Sequence, residues 1–381
     1  MANINDYLEW RADVPFDLDP FNEVDSLVLC ELVYTPFDGI VPGPGLRDKI
    51  SIEEACKRFF DKYSDDEIMA RNNMTKLAPF LMKKMCHSRR YGGMKLSGFV
   101  NEIDSDDQSQ FSVCTFYLND GSIFVAFRGT DDSLVGWKED FNMCYSFGTG
   151  GQLKAVEYLN KNFYRTMKTM RIGGHSKGGN FAVYGATYCK PHVKVLITDI
   201  YNNDGPGFVP EILNDPEYKG ILSRVHSFIP SEAIIGMMMY NKFKNKIVIS
   251  DQKGISQHDP MSWQVVRNHF EYAPKVEESS IIIDEIIKGW TDNVDYDTRA
   301  AFGDVFFSSL AASGATKLSQ ITSGGVRSVA SITKEIQSLD KEQQTLIYDI
   351  FKKLLNTGSD TVVNMVINKL PRGIKTRIIE K

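Results

Sequence analysis

The chain is expected to fold as an α/β protein built on a mostly parallel central sheet. Two observations predict this. Segments rich in β-branched and aromatic residues alternate with segments of helical spacing between about residues 94 and 251. One of them, "VKVLITDIYNND" (Val193–Asp204), is an almost unbroken apolar run, as in a strand covered on both faces. The flanks have helical periodicity instead, which predicts a helical N-terminal region and a helical C-terminal appendage. The boundary is placed at a core unit of residues 1–276 followed by a helical region of residues 277–381.

Within residues 1–90, "EVDSLVLCELVY" (Glu23–Tyr34) and "SIEEACKRFFDKY" (Ser51–Tyr63) place apolar residues on one helical face. The second opens with Ser51 and Glu54 in capping-box spacing. "TPFDGIVPGPG" between them has too much proline and glycine for a regular element. Strands follow at Met94–Asp104, Phe111–Asp120 and Gly121–Thr130, the last two joined by an Asn-Asp-Gly turn. Leu134–Cys144 and Gln152–Met167 read as helices, "KTMRIGG" as a strand and "GGNFAVYGATYC" as a helix. "RVHSFIP" and "KIVISD" add two strands. "AIIGMMMYNKF" (Ala233–Phe243) is methionine-rich; it reads first as a core helix and second as a lid or acyl-pocket wall. Beyond residue 276, "IIIDEIIKGW", "RAAFGDVFFSSLAASGATKL", "KEQQTLIYDIFKKLL" and "DTVVNMVINKL" read as helices. The alanine- and serine-rich stretch among them suits tight helix packing first, and a protein partner or self-association second.

Bulk properties narrow the function classes. A chain of 381 residues with 42% hydrophobic and 24% charged residues is an ordinary globular protein. A net charge of -5 offers nucleic acid or anionic membrane no general attraction. The 6 cysteines are scattered without a C-x-x-C pair, as free buried thiols of a reducing compartment are. The acidic N-terminus lacks the apolar core of a secretory signal, and no apolar run reaches membrane-spanning length. A cytoplasmic location is therefore expected. No cofactor or metal motif is visible.

Chemistry concentrates in "RIGGHSKGGNF" (Arg171–Phe181). Gly174-His175-Ser176-Lys177-Gly178 fits G-x-S-x-G, the nucleophile elbow of α/β-hydrolases, between an expected strand and an expected helix. Glycines two residues to either side of Ser176 remove side chains that so sharp a turn would drive together. The turn leaves the Lys177 N–H at a helix N-terminus, where it can bind a developing oxyanion. A second donor is expected from a loop after an earlier strand, and Thr130 begins such a loop in "FVAFRGTDDSLVGWKEDF".

The pattern "FRGT…W…D" followed by "GHSKGG" resembles the class 3 (fungal-type) triacylglycerol lipases. More closely, the span from "NINDYLEWR" to "QHDPMSW" resembles an uncharacterised bacterial family of lipase-like hydrolases, over roughly residues 1–270. The resemblance implies that Thr130 donates to the oxyanion through its backbone N–H, and often its hydroxyl. Trp137 and Asp140 match positions of structural character.

The base of such a site should lie downstream of Ser176. His192 sits at the wrong end of a strand, His226 lies inside one, and His269 follows "WQVVRN" in a helix or strand. His258, in the polar loop "GISQHDPMSW" after the last strand, is the expected base. Two loops compete for the acid that orients it. Asp204 in "IYNNDGPGF" is the first choice and Glu232 in "SFIPSEAIIG" the alternative. The class 3 lipases carry their aspartate at the second place, where this chain has Ser231-Glu232. Pancreatic-type lipases carry an acid at the first, in a context that "NDGPGF" faintly resembles. Asp259, adjacent to His258, reads as a turn residue before Pro260. The expected function is a serine hydrolase of acyl esters or lipids, with thioesters and peptides open to the same chemistry. The alternative is a non-enzymatic interaction protein on the same scaffold.

Overall fold

A computed structural model describes residues 2–71, 75–165 and 168–312, together with 316, 317, 341 and 345. Its centre is a mixed sheet of nine strands. In chain order these are β1 (Ile50–Ser51), β2 (Lys95–Asp104), β3 (Ser109–Tyr117), β4 (Ile123–Phe127), β5 (Met170–His175), β6 (Ile197–Asn203), β7 (Val225–Pro230) and β8 (Asn245–Val248). A short ribbon of β9 (Val265–Val266) and β10 (His269–Phe270) precedes the ninth sheet strand, β11 (Tyr272–Ala273). The sheet order is β1-β2-β3-β4-β5-β6-β7-β8-β11. Strands β1 to β4 pair antiparallel, β4 through β8 pair parallel, and β11 returns antiparallel.

Helices cover both faces. Near the N-terminus are α1 (Ile4–Arg11), α2 (Glu23–Leu32), α3 (Ile52–Lys62), α4 (Asp65–Met69) and α5 (Ala78–Met85). Ser51 caps α3 through Oγ, 3.2 Å from the Glu54 N–H. Next come α6 (Leu134–Asn142), α7 (Gly150–Asn162) and α8 (Lys177–Tyr188), then the short α9 (Pro191–Lys194), α10 (Pro210–Asn214) and α11 (Pro216–Lys219). The last two described are α12 (Glu278–Asn293) and α13 (Tyr296–Ala312).

Strand β4 shows why the core has three layers. Phe124 and Ala126 join the cluster under α1, α2, α3 and α5, while Ile123, Val125 and Phe127 join the cluster under α7 and α8. A strand buried on both sides has no polar face, hence the run "IFVAF".

Three expectations need correction. The run from Val193 begins as the helical turn α9, because Pro191 sits at its first position with φ already set for a helix; the strand starts only at Ile197. His192 thus belongs to that turn rather than to a strand end. The stretch Ala233–Phe243 forms no α-helix. After one 3₁₀ turn at Ile235–Met237 its backbone pairs with the loop after β6, Phe208 N–H to Tyr240 O at 2.7 Å and Gly207 N–H to Met238 O at 2.9 Å. Those bonds use groups a helix would need internally, and Met239 adopts a left-handed φ of 63°.

Helices α12 and α13 match the first two segments expected after residue 276; α13 packs along α6. The segments "KEQQTLIYDIFKKLL" and "DTVVNMVINKL" lie almost wholly outside the described residues. No helix among the described residues is long and apolar enough to cross a membrane.

Candidate active site

Strand β5 runs directly into α8 through Ser176, whose φ of 58° and ψ of -136° lie where side chains rarely go. Holding a serine there costs about 1–3 kcal/mol, which the packing around the turn must supply. The turn is enforced sterically. A Cβ on Gly174 would lie 2.1 Å from the Gly178 carbonyl carbon, and one on Gly178 would lie 2.0 Å from the Phe127 oxygen. A Cβ on Gly179 would be equally confined, 2.1 Å from Asn202 Oδ1, and one on Gly173 less so, 2.9 Å from Tyr201 Cβ. The Ser176 N–H donates to Asn203 O at 2.9 Å, tying the turn to β6. Lys177 opens α8, so its N–H is one of the first-turn donors that helix geometry leaves unpaired.

Asp204 follows β6 in a left-handed conformation, φ 52°, which aspartate tolerates better than most residues. Its side chain is fully buried. One carboxylate oxygen accepts the Gly236 N–H at 3.0 Å, and the other faces His258 Nδ1 at 2.6 Å. Of the two acids weighed from sequence, Asp204 is therefore the one on the imidazole. Glu232 holds the segment that carries the imidazole. It accepts from the Gly254 N–H at 2.8 Å and from Gln257 Nε2 at 3.0 Å, at either end of the 3₁₀ turn Gly254–His258. Asp259 accepts the Met261 N–H at 2.9 Å, as a turn residue does. The other downstream histidines are engaged elsewhere, His226 with Asp199 at 2.8 Å and His269 with the Phe270 carbonyl at 2.8 Å.

Ser176, His258, Thr130 and Lys177 line one cavity of about 330 Å³. Among the described residues no hydrogen bond joins Ser176 Oγ to the imidazole. Most of the lining is apolar, from Trp137, Phe141, Cys144, Ile235, Met238, Met239, Ile255 and Phe307.

Four residues assigned no chemistry from sequence hold this site together. The Gly129 N–H donates to the Tyr34 hydroxyl at 3.1 Å, and Tyr34 lies 3.2 Å from His175 Nδ1. His175 Nε2 lies 2.9 Å from the His258 carbonyl, which can only accept. Nε2 therefore carries the proton and Nδ1 accepts from Tyr34. Burial, and then the neighbouring His258 ring, hold His175 well below the usual histidine range, so it is neutral as this chain of bonds requires. The path links the Thr130 loop, the serine turn and the His258 segment.

On the other side, the Thr130 hydroxyl donates to Asp140 at 2.5 Å. That hydroxyl is occupied, leaving the backbone N–H as the free donor of Thr130. Burial pushes the Asp140 carboxyl up to about 6, against the opposing pull of Lys177 and Thr130. The Lys177 side chain is fully buried, with Nζ 3.1 Å from Glu139 and 3.7 Å from Asp140. Glu139, also fully buried, accepts in addition from Gln110 N at 2.8 Å, Gly151 N at 2.6 Å and Thr149 Oγ1 at 3.0 Å. A buried carboxylate with this many donors is compensated rather than stranded. The repeat of acid residues Glu139-Asp140 on α6 was the only trace of this pair in the sequence.

No curated protein and no solved structure matches the chain. Residues 85–308, from the end of α5 to within α13, match a family model, and on that match the chain belongs to the Mbeg1-like family.

Proposed function

We propose that the protein is a serine hydrolase of acyl esters on an α/β-hydrolase fold. The observation that carries this reading is the 2.6 Å contact between His258 and Asp204, with that imidazole and a strained Ser176 facing one apolar cavity. Ser176 follows the central strand β5, Asp204 follows β6 and His258 follows β8, the chain order of hydrolases of this fold.

In the proposed reaction Ser176 Oγ attacks the acyl carbonyl while His258 Nε2 accepts its proton. Asp204 fixes the tautomer by accepting the hydrogen bond from Nδ1–H and stabilises the imidazolium that forms. The tetrahedral oxyanion is bound by the N–H groups of Lys177 and Thr130. The imidazolium protonates the leaving alcohol, and water then releases the acid by the same steps in reverse order. The serine–imidazole bond forms on substrate binding, as catalytic hydrogen bonds commonly tighten then. At about 330 Å³ the cavity is at the small end of ligand sites, and its apolar walls suit an acyl chain.

A fluorophosphonate probe should label the wild-type protein and not Ser176→Ala, and p-nitrophenyl esters should be turned over only by the former. Equal labelling of both proteins would overturn the assignment.

A further inference from the structure

We propose that helix α13 is the acyl-selecting wall of this cavity and that Phe307 sets the chain length it accepts; the inference rests on the hydrolase reading above. Phe307 lines the same cavity as Ser176, although it lies in the region expected to be an appendage. It is held there firmly. Phe302 and Phe307 pack on Phe141 of α6, with ring centroids 5.7 and 6.2 Å apart. The approach is close because position 303 is glycine: a Cβ there would lie 2.7 Å from the Phe141 ring. Polar ties fix the helix along its length. Lys138 pairs with Asp304 at 2.8 Å, and Arg299 Nη1 donates to the Cys144 carbonyl at 2.7 Å. Beyond α13 the Thr316 carbonyl accepts the Leu134 N–H at 2.9 Å, at the first residue of α6.

A wall of packed rings tied at several points does not yield to a longer ligand, because close-packed side chains shift only at a cost. The ring of Phe307 therefore limits space instead of adapting to it. The selected group is an uncharged acyl chain. A second carboxylate on that chain would be desolvated among apolar side chains, since Asp140 is already engaged by Thr130 and lies 3.7 Å from Lys177 Nζ. In an apolar pocket a methylene that fits or fails to fit changes discrimination by roughly tenfold or more.

The test compares wild type, Phe307→Ala and Phe307→Trp on p-nitrophenyl esters from acetyl to palmitoyl. In parallel, binding of the matching free fatty acids is measured by calorimetry in a Ser176→Ala background. Phe307→Ala should move the optimum to longer chains, raising the long-to-short ratio of kcat/KM about tenfold. Phe307→Trp should move it to shorter ones. The same order should appear in fatty-acid affinity. Identical chain-length profiles in all three proteins, each with a cooperative thermal transition, overturn the wall. If no protein turns over ester or takes the probe, the hydrolase reading fails, and the binding series alone decides the wall: a shifted profile supports it, an unshifted profile or no binding overturns it. Should Phe307→Ala fail to fold, Phe307→Leu and Phe307→Trp give the same comparison.

Discussion

Asp204 and Glu232 are both carboxylates beside the His258 segment, and their different partners predict different losses. Asp204→Asn keeps the shape but presents an amide to Nδ1 and favours the wrong tautomer. It should lower kcat by about 10⁴ with little change in KM. Glu232→Ala frees the Gly254 N–H and Gln257 from their anchor. Misplacing the imidazole in this way should cost up to about 100-fold in kcat, together with a lower Tm. Equal losses in the two variants would overturn these roles. Composition made Asp204 legible: Gly205, Pro206 and Gly207 mark a loop that tolerates its left-handed φ, although Asn202 and Asn203 belong to the end of β6. Tyr34 and His175 were not legible as a pair, because hydrogen bonds across such a span of chain leave no local pattern.

At the scale of elements, the strand–turn–helix of β5 and α8 was the most readable part, since steric demand at a sharp turn is written directly as glycine. Its strictness is testable. Gly178→Ala drives a Cβ into the Phe127 carbonyl, whereas nothing lies within 4 Å of a Cβ on Gly43. Gly178→Ala should cost about 3 kcal/mol or more in urea unfolding. Gly43→Ala should change stability by no more than about 0.5 kcal/mol. Similar small effects at both positions would contradict the tight turn. The stretch Ala233–Phe243 shows the opposite limit. Its apolar pattern suits a helix, but the loop after β6 offers backbone partners that only the fold brings near. Val193–Asp204 shows a third case, where a proline governed the local start and the apolar run concealed it.

For the whole molecule, buried titratable groups tie stability to pH with opposite signs. His175 is held well below its ordinary 6.5, so below that pH the unfolded chain binds a proton the native one refuses. Its contribution to stability is present above about pH 6.5 and is lost as pH falls. Asp140 acts the other way: raised from 3.8 to about 6, it binds a proton in the native state first and costs stability as pH rises through that window. Glu31, buried and held well above its ordinary range, has the same sign as Asp140. The clean prediction is therefore a difference. Between pH 7 and pH 5 the urea midpoint of His175→Gln should fall less than that of wild type; parallel slopes would refute a neutral native His175. The strands and the helices around them were foreseeable from periodicity. The balance of the sheet was not: expected to be mostly parallel, it is parallel only from β4 to β8. Nor was the joining of the C-terminal helices to the cavity. Contacts such as Phe141 with Phe307 connect segments whose sequences each look complete alone.

That joining also orders events during synthesis. Ser176, Asp204 and His258 leave the ribosome well before Phe307 does. Until α13 emerges, the Phe141 ring lacks the Phe302 and Phe307 rings that pack on it. On the proposed reading the nascent protein carries Ser176, Asp204 and His258 before it carries the Phe307 ring that completes the cavity lining.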